Sequence, residues 1–221
     1  MLERLIAGGF MMLPLAVCSI AMAAVLIERG RAFYLNSKID VRSLRAQLVG
    51  LLNEGRLDEA LTLCASTPGP VSAVLLVGLQ TYRKTIMSRT PAARQLMLIE
   101  KAMDDYTAQA IHVVELRLNW LATIANVAPL FGMTGTVTGM IRSFGSLSGA
   151  GSLDAGVVGA GISEALVATA SGLVVALFSL IPYNSFMNRV GKINLEIGEA
   201  VAELVQTIAI LVEQGAPETR N

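Results

Sequence analysis

The sequence predicts an all-α integral membrane protein with three transmembrane helices, of which at least two extend into a cytoplasmic helical domain. Of its 221 residues, 53% are hydrophobic and only 15% are charged, whereas soluble domains have about 25% charged residues. Helical spacing of apolar residues is also found before the second apolar segment and after the third. Each of three segments without charge reaches the roughly 20 residues that a spanning helix needs. These segments are residues 5–27, 118–141 and 165–188.

The first predicted transmembrane helix covers residues 5–27 and follows a short N-terminus, residues 1–4. Arg4 and the small residues Ala21 and Ala23 would also fit a secretory signal peptide with its cleavage site. The apolar run is longer than the core of a usual signal peptide. We therefore expect this segment to be retained as a membrane-spanning helix.

The distribution of basic residues predicts the orientation in the membrane. Residues 28–117 hold twelve of the seventeen Lys and Arg residues, whereas Arg142 is the only one near the connection at 145–154. Because cytoplasmic segments carry the excess of Lys and Arg, residues 28–117 should form a cytoplasmic domain. The N-terminus and the short loop 145–154 should then face outward, and residues 184–221 should form a cytoplasmic C-terminal helix and tail.

The cytoplasmic domain is predicted to consist of helices separated by Gly- and Pro-containing turns. Thr90 and Pro91 should open the helix that leads into the second span, as its N-cap and first helical residue. An apolar stripe from Leu96 to Val113 indicates that this helix continues into the membrane without a break. The three shorter helices are predicted at residues 41–52, 57–64 and 71–86.

An apolar stripe also runs along the C-terminal segment, from Ile193 to Leu211, at steps of three and four residues. Such a stripe suits a helix that packs against copies of itself. Packing within one chain explains the same spacing equally well, so the stripe leaves both arrangements open.

The second span, residues 118–144, combines small residues with several hydroxyl groups. Gly132, Gly135 and Gly139 follow Ala128 at helical spacing, which predicts close packing against another helix. Three threonines lie on the same span, although a membrane threonine often bonds the backbone of its own helix. These threonines are Thr134, Thr136 and Thr138. Thr134 and Thr138 project together and, with Ser171 of the third span, could line a pore, whereas Thr136 points elsewhere.

The third span, residues 155–183, contains one acid, Glu164, in an otherwise apolar segment. If the helix starts near residue 155, Glu164 lies roughly 14 Å into a hydrocarbon layer that is about 30 Å thick. If it starts at Ala165, Glu164 is instead an interfacial residue favoured by the helix dipole. Ser171 shares a face with Glu164, whereas Thr169 lies elsewhere on the helix. An intramembrane acid indicates a functional site and suits a proton relay.

Other kinds of site have little support in the sequence. Cys18 and Cys64 are expected on different sides of a membrane boundary, so we predict no disulfide and no redox role. His112 is the only histidine, and no cluster with metal-ligand spacing surrounds it. The net charge is zero, and no basic run indicates nucleic-acid binding. We predict no enzymatic activity.

Two segments closely resemble the signature spans of the MotA/TolQ/ExbB proton-channel family. They are residues 122–144, ATIANVAPLFGMTGTVTGMIRSF, and residues 159–173, GAGISEALVATASGL; residues 67–79, TPGPVSAVLLVGL, resemble the family's cytoplasmic motif. The resemblance is strongest to the three-span ExbB/TolQ branch. Thr138 replaces a common tryptophan and Met133-Thr134 replaces a more apolar pair, so the choice among ExbB, TolQ and a more specialised branch stays open.

The resemblance implies a stator-like subunit of the bacterial inner membrane, with a periplasmic N-terminus and a cytoplasmic C-terminus. It implies a homo-oligomer, expected to be a pentamer, that lies in the lipid bilayer around a one-span ExbD- or TolR-like partner with an intramembrane Asp. Protons would be the coupling ion, with no other cofactor, and a TonB- or TolA-like third protein would receive the work. By motif position, the proton pathway would include Glu164, Thr169 and Thr136, and the resemblance favours an intramembrane Glu164.

Three rival hypotheses remain open from the residues themselves. A membrane scaffold would use Glu164 only for a structural hydrogen bond. A small secondary transporter would carry a substrate, although such folds usually contain internal repeats, and none is found here. A self-sufficient proton leak would conduct without a partner.

Overall fold

The structure is a computed structural model that describes residues 9–36, 40–150 and 155–213. Within these ranges the chain consists of α helices joined by short turns, which confirms the all-α prediction. The helices are α1 (Met12–Asn36), α2 (Val41–Asn53), α3 (Leu57–Ser66), α4 (Pro70–Met87), α5 (Ala92–Ala150) and α6 (Ala155–Glu213).

Three of these helices, α1, α5 and α6, are long and apolar enough to cross a membrane. This confirms the prediction of three transmembrane helices. Helices α5 and α6 contain 59 residues each. At about 1.5 Å per residue, each is far longer than a bilayer core of about 30 Å. Each therefore contains a membrane span and a further, more polar helical segment.

The start of α5 differs from the prediction. The carbonyl of Pro91 accepts hydrogen bonds from the backbone N–H groups of Arg94 at 2.9 Å and Gln95 at 3.0 Å, so Pro91 occupies the capping position. The prediction that Thr90 is the N-cap is wrong, because its hydroxyl lies 3.0 Å from the hydroxyl of Ser88 instead. Helices α2, α3 and α4 end within two residues of their predicted bounds.

Two helices extend beyond the predicted limits of their spans. Helix α1 continues past residue 27 to Asn36, because Glu28 and the basic residues after it are compatible with a helix. Helix α5 continues to Ala150, so the first part of the predicted loop 145–154 is helical, since no proline interrupts it. The rest of that loop, the N-terminal residues 1–8 and the tail 214–221 lie outside the described residues.

Helix α6 is continuous through the predicted boundary between the third span and the C-terminal segment at residues 183–184. Pro182 lies inside it, and Pro129 lies inside α5. Each proline lacks the N–H that would bond the carbonyl four residues earlier. The carbonyls concerned belong to Ala125 and Phe178.

The chain divides into two compact units. The membrane unit comprises residues 1–30 and 116–187, and the polar unit comprises residues 31–115 and 188–221. The polar unit has its own apolar core, in which Ile197, Leu204 and Ile208 of α6 are almost fully buried. The apolar stripe of the C-terminal segment therefore packs within one chain, as one of the two open interpretations held.

Helix α5 contributes only part of its predicted stripe to this core. Ile99 and Met103 are completely buried, whereas Tyr106 and Val113 are exposed. The surface of the polar unit is tied together by Arg45 of α2, whose guanidinium binds Glu203 at 2.6 Å and Glu199 at 2.9 Å. These two hydrogen bonds raise the pKa of Arg45, and they attach α2 to α6.

Candidate functional site

A seam of small residues joins α5 and α6 in the membrane unit. A Cβ at Gly135 would lie 2.7 Å from the Cβ of Ala168, and one at Gly139 would lie 2.9 Å from the Cβ of Ala165. A Cβ at Gly172 would lie 2.6 Å from the carbonyl oxygen of Ala128. Contacts of this kind are shorter than packed side chains allow, so the backbones approach closely only because these positions lack side chains.

An interhelical hydrogen bond crosses this seam. The hydroxyl of Thr169 on α6 donates to the carbonyl of Gly132 on α5 at 2.9 Å. A Cβ at Gly132 would lie 3.0 Å from the Cα of Thr169, so the bond depends on glycine at this position. Thr169 is thus engaged with the neighbouring helix of its own chain, and it does not bond Glu164 in this structure.

Glu164 lies on α6 near the end of the same helix pair. Its carboxylate accepts a hydrogen bond from Nη1 of Arg142 on α5, at 3.0 Å between Nη1 and Oε1. The Glu164 side chain is 26% exposed, whereas that of Arg142 is 64% exposed. The acid is therefore held inside the helix pair by a cation that reaches it from the surface.

The segment that precedes α1 closes the site from another direction. Gly9 has a φ of +70°, and a Cβ at this position would overlap Oε1 of Glu164. The backbone of Gly9 thus lies directly against the carboxylate. Three parts of the membrane unit meet at Glu164: the segment before α1, helix α5 through Arg142, and α6 itself.

The described part of the membrane unit contains few charges, and they fall into two groups. Glu28 binds Arg117 and also lies 3.2 Å from Nη2 of Arg29. Arg142 and Glu164 form the second group. Within the described residues of this unit, Arg142 is therefore the only charged side chain that faces Glu164.

The start of α6 bears on the two interpretations of Glu164. Because α6 begins at Ala155, Glu164 is not in its first turn, and the interpretation with a helix starting at Ala165 is wrong. Arg142 directly follows the charge-free run 118–141. Its contact with Glu164 sets the carboxylate beside the end of that run, and the depth of Glu164 in a bilayer stays a prediction.

The threonines of the second span bond the backbone of α5. Thr134 donates to the carbonyl of Leu130 at 2.8 Å, and Thr136 donates to that of Met133 at 2.6 Å. Thr138 lies within hydrogen-bond distance of the carbonyl of Thr134, at 3.0 Å. Thr134 and Thr138 are exposed, whereas Thr136 and Ser171 are half-buried. A role of these hydroxyls in a pore stays a prediction.

Sequence reasoning singled out Glu164 but missed Arg142 and Gly9. A signal for Arg142 was present, because the two helices are antiparallel neighbours. Arg142 and Glu164 lie eleven residues before and after position 153, in the middle of the connection. Such symmetry places the two residues at about the same height on the two helices, whereas the register between α5 and α6 decides whether they face each other. Gly9 had no comparable signal, since its contact depends on how the chain enters α1. Among the described residues, no cluster of potential metal ligands is found.

Comparison with known proteins identifies the family of this chain. The sequence profile of the MotA/TolQ/ExbB proton channel family matches residues 68–199, more than half of the chain. This chain belongs to the MotA/TolQ/ExbB family. The match includes both α5 and the part of α6 that carries Glu164, as well as α4 of the polar unit.

Three relatives place the chain in the ExbB/TolQ branch of the MotA/TolQ/ExbB family. The Tol-Pal system protein TolQ of Haemophilus influenzae is 39% identical over 103 residues, which cover 47% of this chain and 45% of the relative. The biopolymer transport protein ExbB of Salmonella typhimurium is 37% identical over 86 residues, 39% of this chain and 35% of the relative. An ExbB-like protein 3 of Synechocystis is 34% identical over 187 residues, 81% of each chain.

The matched region thus spans less than half the length of the first two of these relatives. Together with the three apolar helices, the family membership identifies a multi-pass protein of the inner membrane.

Proposed function

We propose that this chain is a proton-channel subunit of an inner-membrane motor complex that converts the proton motive force into mechanical work. Glu164 is the residue that takes up and releases the proton. Its position carries the proposal: an acid in an apolar helix, largely enclosed by α5, α6 and the backbone of Gly9. An ionisable residue within an apolar helix marks a functional site, and a carboxyl group is one that can take up and release a proton.

Thr169 and Thr136 complete the proposed pathway as hydroxyl groups on the two spans. Thr169 bonds the carbonyl of Gly132 and so fixes the spacing between α5 and α6 at the level of the pathway. Thr136 is half-buried on α5 and bonds its own backbone. Exposed Thr134 and Thr138 offer further polar groups to whatever protein covers that face of α5.

The complete motor requires other subunits. We propose that several copies of this chain surround a one-span ExbD- or TolR-like subunit with an intramembrane Asp. The proposed number is five, by analogy with the ExbB/TolQ branch. The work is delivered to a TonB- or TolA-like protein. The assignment to this kind of system is supported by two relatives, one a protein of a Tol-Pal system and the other a biopolymer transport protein.

The available energy is sufficient for such a device. One elementary charge that crosses a potential of about 100 mV releases about 2.3 kcal/mol. Repeated proton transfers could therefore drive a conformational cycle in small steps. The coupling ion is proposed to be the proton because a single carboxyl group suits proton uptake better than coordination of a larger cation.

The test is a Glu164→Gln replacement, which keeps the shape of the side chain but removes the titratable proton. In a strain deleted for the gene, we expect the variant to lose function that depends on the proton gradient, while it still co-purifies with the one-span partner. Glu196→Gln, an exposed acid on the polar part of the same helix, is the matched control and should retain function.

The outcomes separate this function from its rivals. Full function of Glu164→Gln would support a scaffold in which Glu164 only forms a hydrogen bond. Proton conductance by the chain alone in liposomes would indicate a self-sufficient leak. Accumulation of a substrate in the same liposomes would indicate a secondary transporter. The proposal requires little conductance from the chain alone and gradient-dependent function only with the partner.

A further inference from the structure

The proposed proton transfer needs only Glu164, yet the structure pairs this residue with Arg142. Arg142 is the only charged group facing Glu164 in the described membrane unit, at 3.0 Å. On α6 itself, residues 157–171 contain no other charge. The segment before α1 contributes the uncharged backbone of Gly9. Among the residues that the structure describes, Arg142 is therefore the one charged side chain that acts on Glu164 at short range.

We propose that Arg142 is the resident counter-ion of Glu164, which holds the carboxylate ionised and must separate from it before a proton is taken up. In this role Arg142 is a positioning residue, because it acts through Glu164. The inference rests on the proposed function, and it specifies which group pairs with the Glu164 carboxylate while no proton is bound.

The chemistry of the pair supports this competition. A cation within about 4–6 Å favours the charged form of a carboxyl group. A proton that binds Oε1 of Glu164 removes the negative charge and leaves Arg142 protonated without a partner. Within an apolar layer an unpaired charge is costly, so proton uptake and release of Arg142 are coupled. No covalent bond other than the O–H bond is made.

The geometry provides a way for Arg142 to leave. Its side chain is 64% exposed, whereas Glu164 is 26% exposed. A long arginine side chain can turn toward water while its stem remains on the apolar surface. Glu164 has less freedom, because Gly9 lies against its carboxylate. The mobile member of the pair is thus the arginine.

The test measures protonation of Glu164 without relying on motor activity. A hydrophobic carbodiimide reacts with the protonated form of an intramembrane carboxyl group, and labelling of Glu164 in the intact complex is followed against pH. In Arg142→Gln, we expect more Glu164 to be labelled at a given pH than in the unaltered chain, because the cation that favours the charged carboxylate is gone. Arg142→Lys keeps the charge, so its labelling profile should remain close to that of the unaltered chain.

Gly9→Ala provides a second variant in which Arg142 is intact. Its new methyl group would overlap Oε1 of Glu164 and displace the carboxylate from the arginine. We expect labelling of this variant to shift in the same direction as in Arg142→Gln. If Arg142→Gln fails to assemble, the labelling of Gly9→Ala tests the counter-ion role in its place. If Arg142→Gln and Gly9→Ala, or whichever of the two assembles, are labelled with the same pH dependence as the unaltered chain, the counter-ion proposal is overturned.

Glu164→Gln supplies the labelling background and separates the two proposals. If Glu164→Gln is inactive but Arg142→Gln leaves the labelling profile unchanged, the proposed function stands and the counter-ion role fails. If Glu164→Gln is fully active, the proposed function fails, whatever the labelling profile shows.

Discussion

At the scale of single residues, Thr169 shows how a hydroxyl in a membrane helix can serve packing and a pathway together. Its hydrogen bond to the carbonyl of Gly132 at 2.9 Å joins α5 and α6. The same residue is half-buried. Whether its hydroxyl also meets protons depends on the surfaces that cover this helix pair in the assembled complex, and the two roles can be separated by substitution.

Replacement of Thr169 by Val removes the hydroxyl but preserves the branched shape. We expect the free energy of unfolding of the detergent-solubilised chain to fall by about 0.5–1 kcal/mol, because one interhelical hydrogen bond is lost. Denaturant titration followed by circular dichroism would measure this change. Thr169→Ser retains the donor and should lose less. Equal stability of Thr169→Val and the unaltered chain would show that the bond contributes nothing.

The residue scale also shows what the sequence could and could not reveal about the site. Glu164 was recognisable because an acid interrupts an apolar helix. Its partner Arg142 was not chosen, because pairing depends on the register between α5 and α6. The prediction for Thr90 failed for a local reason: the carbonyl of Pro91 accepts the first helical hydrogen bonds, which no composition rule fixes.

At the scale of elements, the α5–α6 seam determines how close the two helices can lie. Its tightest contact with backbone is at Gly172, where an added Cβ would lie 2.6 Å from the carbonyl oxygen of Ala128. A backbone atom cannot rotate away as a side chain can. The helices would have to separate, and the bond from Thr169 to Gly132 lies next to this contact.

Gly172→Ala should therefore destabilise the helix pair by about 1–3 kcal/mol, as overpacking does. The measurement is thermal unfolding of the purified chain in detergent. Gly159→Ala is the matched control on the same helix, since an added Cβ there meets no atom within 4 Å. The control should be neutral or slightly stabilised, because alanine favours helix. Equal melting of both variants would contradict the proposed seam.

Element boundaries were less predictable than the elements themselves. The apolar runs and their spacing were enough to predict three spans and the helices of the polar unit. The ends of α1 and α5 were predicted too early, because a change from apolar to charged or small residues marks the limit of an apolar run and does not end a helix. Helix ends depend on hydrogen bonds that the composition alone does not specify.

At the scale of the whole molecule, the chain combines a membrane unit of few charges with a polar unit that has its own core. This division follows from composition, because residues 28–117 hold most of the basic side chains. The apolar stripe of α6 was ambiguous in sequence, since its spacing suits contacts within or between chains. Burial of Ile197, Leu204 and Ile208 resolves it in favour of contacts within the chain.

The predicted orientation of the whole chain can be measured with single cysteines. In a Cys18→Ser, Cys64→Ser background, Ser152→Cys should react with a membrane-impermeant maleimide added to intact spheroplasts. Thr90→Cys should react only after the membrane is permeabilised, because the basic segment is expected inside. Labelling of Thr90→Cys from outside would reverse the predicted topology.

The pairing of Arg142 with Glu164 also has a consequence for biosynthesis. A charged side chain that enters the lipid phase alone carries an insertion cost of about 2.5–3.5 kcal/mol at the centre of a helix. Because these two residues lie on adjacent helices and neutralise each other, α5 and α6 can leave the translocon together at a lower cost than either would bear separately. We therefore expect the newly made chain to insert these helices as a hairpin, in a single event.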